Sequence, residues 1–503
     1  MTEENKKELL SVLRTYIGTE ENAPITLKDF LLLPDYRMLQ DEQCFLILGG
    51  RGAGKTCLFN MYSSEAGFRF MMTDQSVYRS FSDADWKSLK GYDRNDPFPT
   101  ADVLGTSLFS DEKAITAYWA GSLLFVLLEE LKKDTNLSEE LSGQIPERLS
   151  SLFSDIHLLS EPSRWVSLLK DNPEVWEKAL RGMDQFLERK HLKLFVAYDS
   201  LDRLSNEYNK LFPFLRTLLS FWYTRMTRWN NIRCKIFLRT DLYDNSQMLQ
   251  FPDASKIKNQ SMILTWKPMA LYQLLVKRMA NCDGAAAQSM LSYLNKTPGL
   301  IIDEGKMAGY VPTKSREVMG NFIKNLIGEY MGATPKKGLS YQWIPNHLQD
   351  ANGVLAPRSF LNCFREAANY MLENSEELTS LTEDHLLLPS SIQKALIKVS
   401  ADRVDELTEE YVWLSKLKDA LSGLTMLMQK EDFIRYISVD QWSEKEKATL
   451  PEQTAYGIFS VLEKLGIVFV TSDNRVNVPE IYLHGFHMKR RGGLKRPQDE
   501  SND

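Results

Sequence analysis

Residues 49–56 read GGRGAGKT, and this short stretch constrains the chain more than any other. It fits G-x-x-x-x-G-K-[ST], a pattern whose backbone N–H groups point inward at phosphates while its glycines allow close approach. The apolar run QCFLIL at 43–48 precedes it and CLFNMYSS follows, which is the strand–loop–helix setting such a loop needs. The helix adds the positive end of its dipole to the cradle. The expected cradle is Gly49, Gly50, Arg51, Gly52, Ala53, Gly54, Lys55, Thr56 and Cys57. Lys55 would reach the outer phosphates, and the Thr56 hydroxyl would take a place on Mg²⁺. No guanine-recognition motif stands out, so ATP is the expected nucleotide.

Two further apolar runs, LKLFVAY at 192–198 and IRCKIFL at 232–238, have the length and punctuation of buried strands, and SMILTW at 261–266 is a fourth. Helical periodicity separates them, as in 206–228 with Leu211, Phe214, Leu215, Leu218 and Leu219. Buried strands alternating with helices predict an α/β fold with a parallel sheet. Five segments are expected. An N-terminal helix and lead-in fill 1–39, and a P-loop core fills 40–267 with a helical insertion at about 75–190. A helical lid follows at 268–399, a winged-helix-like region at 400–486 and a basic then acidic tail at 487–503.

A phosphate loop with Mg²⁺ calls for a carboxylate at the end of a neighbouring strand. Asp199 stands at the end of LKLFVAY and could hold the metal through water, because Mg²⁺ keeps much of its hydration. Asp202, three residues on, could orient or deprotonate an attacking water. Alternatively, either carboxylate could cap a helix starting near Leu204, and Arg203 could neutralise Asp202. No glutamate directly follows Asp199, a pattern consistent with slow turnover.

With 503 residues, the chain has room for roughly three domains. Its 43% hydrophobic and 25% charged content excludes a disordered chain or a coiled-coil rod. A net charge of −6 supplies no global field toward nucleic acid or membrane. Five scattered cysteines with no C-x-x-C pair indicate neither a disulfide framework nor a thiolate zinc site. The apolar run at 114–128 is 15 residues long, short of a bilayer span, and the first residues lack a signal-peptide layout, so a cytoplasmic protein is expected.

The stretch FVAYDSLDRL at 195–204 resembles the D-D-L-D-R signature of KAP-type P-loop NTPases and the related D-G-x-D-E of the STAND class. Ser200 replaces the second aspartate of the KAP pattern. IFLRTDL at 236–242 lies where AAA+-like proteins place sensor 1, which implies Arg239, Thr240 or Asp241, with Arg239 favoured. WKPMALYQLLVKR at 266–278 resembles the passage into a helical lid. APRSFLNCFREAA at 356–368 resembles the Pro-Arg start of a sensor 2 helix, which implies that Arg358 reaches the γ-phosphate. The resemblance spans about 40–370 and lacks the transmembrane insertion of membrane KAP proteins. It implies an oligomeric ATPase, completed in some relatives by a neighbour's arginine (Arg225 or Arg228 here), and an effector on a separate polypeptide, as in bacterial anti-phage defence.

ELSGQ at 140–144 superficially resembles an ABC signature but lies far from Asp199, and is read as a loop. At the C-terminus, a helix at 454–465 and a hairpin from 467–470 and 475–478 suggest a winged helix. The stretch PEQTAYGIFSVLEKLG at 451–466, which holds that helix, has Glu452 and Glu463 against Lys464, a poor face for DNA, so protein docking is the favoured role. The tail concentrates Lys489, Arg490, Arg491, Lys495 and Arg496, which could grip nucleic acid or simply neutralise the last acidic residues. Two rival readings stay open. One is a DNA-acting AAA+ loader or transposition regulator, the other a non-hydrolysing scaffold held by ATP.

Overall fold

Five parallel strands build the sheet on which the phosphate loop sits. They are β1 (Leu46–Gly49), β2 (Asp85–Tyr92), β3 (Leu192–Tyr198), β4 (Ile232–Arg239) and β5 (Ser261–Ile263), in the order β2-β3-β4-β1-β5. The computed structural model describes residues 1–17, 26–72, 85–105, 111–134, 155–205, 208–245, 254–305, 308–381, 385–447 and 449–490, with scattered positions at 136–153 and 248–251. The chain divides into two compact units, Ile25–Thr265 and the combination of Met1–Pro24 with Trp266–Asp503. The sheet belongs to the first.

All four residues of β1 and all eight of β4 are buried, as parallel strands covered on both faces should be. Yet β4 carries Arg233, Lys235 and Arg239 among its apolar residues. Each buried cation has partners. Lys235 Nζ donates to the carbonyls of Asp41 at 2.7 Å and Cys44 at 2.6 Å, and Arg233 Nη1 donates to that of Met226 at 2.8 Å. Glu42 faces both Arg233 and Lys193, at 3.3 and 2.5 Å. Burial pushes the Lys235 ammonium down to about 8.

β2 lies within the stretch expected to be a helical insertion. Its sequence, DWKSLKGY, holds only a few apolar residues, and its first half is exposed or half-buried because it is an edge strand. Charged side chains on such an edge discourage pairing with another chain. The rest of the insertion includes the helices Glu112–Lys132 and Pro173–Arg189.

Helix Glu112–Lys132 is longer than the apolar run suggested. By length and composition it could cross a membrane, but 78% of its most apolar window is buried inside the protein, as in a core helix. Trp119 Nε1 donates to the Phe214 carbonyl at 3.2 Å on the helix Tyr208–Met226. At Gly121 a Cβ would lie 2.2 Å from the Trp165 ring, so only glycine lets the two pack.

In the second unit, the N-terminal helix Glu3–Tyr16 buries Leu9, Leu10, Val12 and Leu13 and packs against the helix Pro357–Glu373. Thr2 caps it by accepting from the Asn5 N–H at 3.3 Å. Pro357–Glu373 packs in turn against Pro389–Glu410. Toward the C-terminus, helices Lys430–Tyr436 and Ala455–Lys464 accompany an antiparallel sheet of Met428–Gln429, Arg475–Asn477 and Phe469–Val470. Lys489 and Arg490, in the stretch expected to be a basic tail, form a short strand paired with Thr425–Met426. Arg491, Lys495 and Arg496 lie outside the described residues, as do 141–144 of the ELSGQ stretch.

Candidate nucleotide site

The loop between β1 and the helix Lys55–Ser63 has the shape its glycines allow. Gly52 and Gly54 have φ of 76° and 91°, and Gly54 is the N-cap of the helix. A side chain strains such left-handed backbone by about 1–2 kcal/mol, whereas glycine takes it freely. The Ala53 N–H donates to the Gly50 carbonyl at 3.2 Å and closes the turn. A Cβ on Gly49 would stand 3.2 Å from that of Ala53 and 3.3 Å from that of Leu264, so the loop's first glycine is also tightly flanked. The first N–H groups of the helix have no intrahelical carbonyl to bind, and they open an anion site there.

Strand register brings the other site residues alongside. Gly49 pairs with Arg239 across β1 and β4, and Tyr198 pairs with Ile236 across β3 and β4. Asp199 follows directly, its N–H donating to the Tyr92 carbonyl at 3.0 Å. Lys55, Thr56, Asp199 and Arg239 therefore gather at the carboxyl ends of β1, β3 and β4.

Asp199 is only 3% exposed. Burial raises its carboxyl above the usual range, opposed by the Thr56 hydroxyl, the Ser200 N–H and the charge of Lys55. Ser200 adopts φ of 58°, which turns the chain sharply into the short 3₁₀ turn Leu201–Arg203 that carries Asp202. Leu204 and Ser205 are not helical, so neither Asp199 nor Asp202 caps the helix described from Tyr208 onward. Asp202 instead faces Arg239, with Oδ2 3.5 Å from Nη1.

Lys55 Nζ folds back onto its own loop, donating to the carbonyls of Gly49 at 2.8 Å and Gly50 at 3.0 Å. Burial, then the neighbouring Arg239 charge, lower it to about 8, while Asp199, Asp202 and Asp241 pull the other way. Ionised, these two cations and three carboxylates leave the cluster one charge negative. A divalent cation beside Thr56 and Asp199 would reverse that sign and make room for a polyphosphate. The hydroxyl and carboxylate are hard oxygen donors already in contact, a set that suits Mg²⁺. Among the described residues no group of three or more His, Cys, Asp or Glu could hold a metal, so such an ion would also need phosphate and water oxygens.

Arg239 is 7% exposed. Asp241 forks its guanidinium, accepting from Nε at 3.1 Å and from Nη2 at 2.7 Å. The R-T-D spacing is the sequence signal for this contact. Arg225 is enclosed. Its side chain is 12% exposed, bound to Glu177 at 2.6 Å and 3.9 Å from the Phe221 ring centre, which is no place for a residue offered to a neighbouring subunit. Arg228 is exposed. Arg358 belongs to the second unit, where its Nη1 pairs with Glu406 at 3.1 Å. Arg490 pairs with Glu480 at 2.9 Å.

A parallel sheet in this order, a G-x-x-x-x-G-K-T loop leaving its strand β1 and a buried aspartate ending β3 together define a P-loop NTPase fold. No family model matches the chain. No curated protein matches it either. Among solved structures, it is similar to a Walker-type ATPase of Pyrococcus abyssi, with 12% identity, 93% of this chain and 99% of that chain covered, and a TM-score of 0.38. It is also similar to the ORC2 protein of Aeropyrum pernix in its ADPNP and ADP complexes, with 13% identity, 95% and 92% coverage and a TM-score of 0.36. With likenesses so distant, the fold assignment stands on the strand order and the loop of this chain itself.

Proposed function

We propose that this chain is a Mg²⁺-dependent ATPase whose nucleotide state switches or scaffolds a partner effector. The carrying observation is the convergence of the glycine loop, Lys55, Thr56, Asp199 and Arg239 at one end of one sheet. In the proposed reaction, water attacks the γ-phosphate in line, the bond to the β-phosphate oxygen breaks, and ADP and phosphate leave. The loop N–H groups, Lys55 and Arg239 carry the charge that grows on the phosphate oxygens. Thr56 and Asp199 would hold Mg²⁺, which when bound neutralises phosphate charge. Asp202 orients the attacking water and accepts its proton.

Slow turnover fits this site, since no glutamate follows Asp199 and Asp202 is engaged by Arg239. The γ-phosphate-sensing role of Arg358 rests on the family resemblance, as does action in anti-phage defence beside a separate effector. The C-terminal helices and three-stranded sheet are proposed as a winged-helix-like module that docks protein. With Arg225 enclosed, Arg228 is the remaining candidate for completing a neighbour's site in a homo-oligomer.

Steady-state ATP hydrolysis by the wild type and Asp199→Ala, with and without DNA, alongside the oligomer mass, tests the proposal. Activity that the substitution removes and DNA leaves unchanged is expected. Strong stimulation by DNA would favour a loader, and tight binding without turnover a scaffold.

A further inference from the structure

The edge strand β2 departs from a regular ladder just where it meets Asp199. Lys90 pairs with Ala197 and Tyr92 with Tyr198, so Gly91 is an extra residue, a β-bulge. A Cβ at Gly91 would stand 2.5 Å from Val196 Cγ1 and 2.6 Å from the Tyr198 ring, so glycine is what lets β3 pack against the bulge. The extra residue makes the Tyr92 carbonyl, in place of that of Gly91, the acceptor for the Asp199 N–H at 3.0 Å. It also changes which side chains meet. Residues three apart in a regular strand point to opposite faces. Across the bulge Lys90 and Asp93 share a face, and Lys90 Nζ reaches Asp93 Oδ2 at 2.8 Å. Asp93 is buried, and its carboxylate also accepts from the Asn95 N–H at 2.8 Å and from Asn95 Nδ2 at 3.2 Å.

Both ends of this staple lead to the nucleotide site. Lys90 Nζ lies 5.7 Å from the centre of the Phe59 ring, on the helix Lys55–Ser63 that leaves the phosphate loop. Asp93 directly follows Tyr92, whose carbonyl anchors Asp199. The Tyr92 ring is held in turn, 5.5 Å from that of Phe98 and 6.1 Å from that of Trp119. A carboxylate that binds a metal depends on the groups behind it for its position. We infer that Lys90 and Asp93 are positioning residues for magnesium binding. Their ion pair, closed across the bulge, holds the Tyr92 carbonyl under the Asp199 N–H and so fixes where the Asp199 carboxylate stands beside Thr56. They act through Asp199 and not on the nucleotide. This inference rests on the proposed Mg²⁺-dependent ATPase reading and extends its site to the edge strand.

The test is equilibrium binding of ATP, in EDTA and in saturating Mg²⁺, by full-length wild type, Lys90→Met, Lys90→Arg, Asp93→Asn, Asp199→Ala and the double variant Lys90→Met with Asp199→Ala. The readout is the factor by which Mg²⁺ tightens ATP binding. Lys90→Met and Asp93→Asn should each reduce that factor by about threefold to tenfold. Affinity in EDTA should stay unchanged, because the phosphate loop is intact. Lys90→Arg keeps the charge pair and should restore most of the factor. Once Asp199 is replaced, Lys90→Met should have no further effect. If Lys90→Met leaves the factor unchanged, weakens binding equally with and without Mg²⁺, or still acts in the absence of Asp199, the positioning role is overturned and the ATPase reading survives. If the wild type binds no ATP or gains nothing from Mg²⁺, the ATPase reading falls and takes the positioning role with it. The Lys90 side chain is 43% exposed, so its variants report even if Asp93→Asn does not fold.

Discussion

Lys55 shows how one side chain links the loop to its chemistry. It donates to two loop carbonyls, and burial together with Arg239 brings it down to about 8. A bound polyphosphate favours the ammonium and raises it again, so binding takes up a proton. The contribution of Lys55 to ATP affinity is then complete below a pH of about 8 and is lost as pH rises above it. ATP titrations at fixed ionic strength should be level near neutrality and weaken toward about tenfold per pH unit above that point. Affinity that stays level to strongly alkaline pH would contradict this picture. Lys55 was legible because its motif is contiguous, and Asp199 because it ends an apolar run. The Arg239–Asp202 pair was not legible, since it joins two strands' ends whose neighbourhood only the sheet order fixes.

At the scale of elements, apolar runs marked β1, β3, β4 and β5, and the loop followed from β1. What the pattern hid was β2, whose polar edge sequence lacks the signature of a buried strand. It also hid the buried charges of β4, which are tolerated only because backbone carbonyls and Glu42 meet them. The helix Glu112–Lys132 depends on a close approach that no periodicity reveals. Alanine ordinarily favours a helix over glycine by about 1 kcal/mol. Gly121→Ala should nevertheless destabilise the protein by about 1–3 kcal/mol, because its methyl would meet the Trp165 ring. Thermal or urea unfolding measures this. A stabilised variant would mean that the ring is free to move aside.

At the scale of the whole molecule, the first unit contains the loop, Asp199, Asp202, Arg239 and Asp241, a nucleotide site built on one sheet. The N-terminal helix, although first in sequence, is part of the second unit, because its Leu9, Leu10 and Leu13 face is covered by Pro357–Glu373. Amphipathic periodicity shows that a helix needs a cover but not which distant segment provides it. The central claim is that the first unit binds ATP with magnesium through this loop. Its most direct test is equilibrium ATP binding, with and without Mg²⁺, by wild type, Lys55→Ala and Asp199→Ala. The wild type should bind, Lys55→Ala should lose about a hundredfold or more in affinity, and Asp199→Ala should lose the dependence on Mg²⁺. A wild type that binds no ATP, or a Lys55→Ala variant that binds it equally well, would contradict the account.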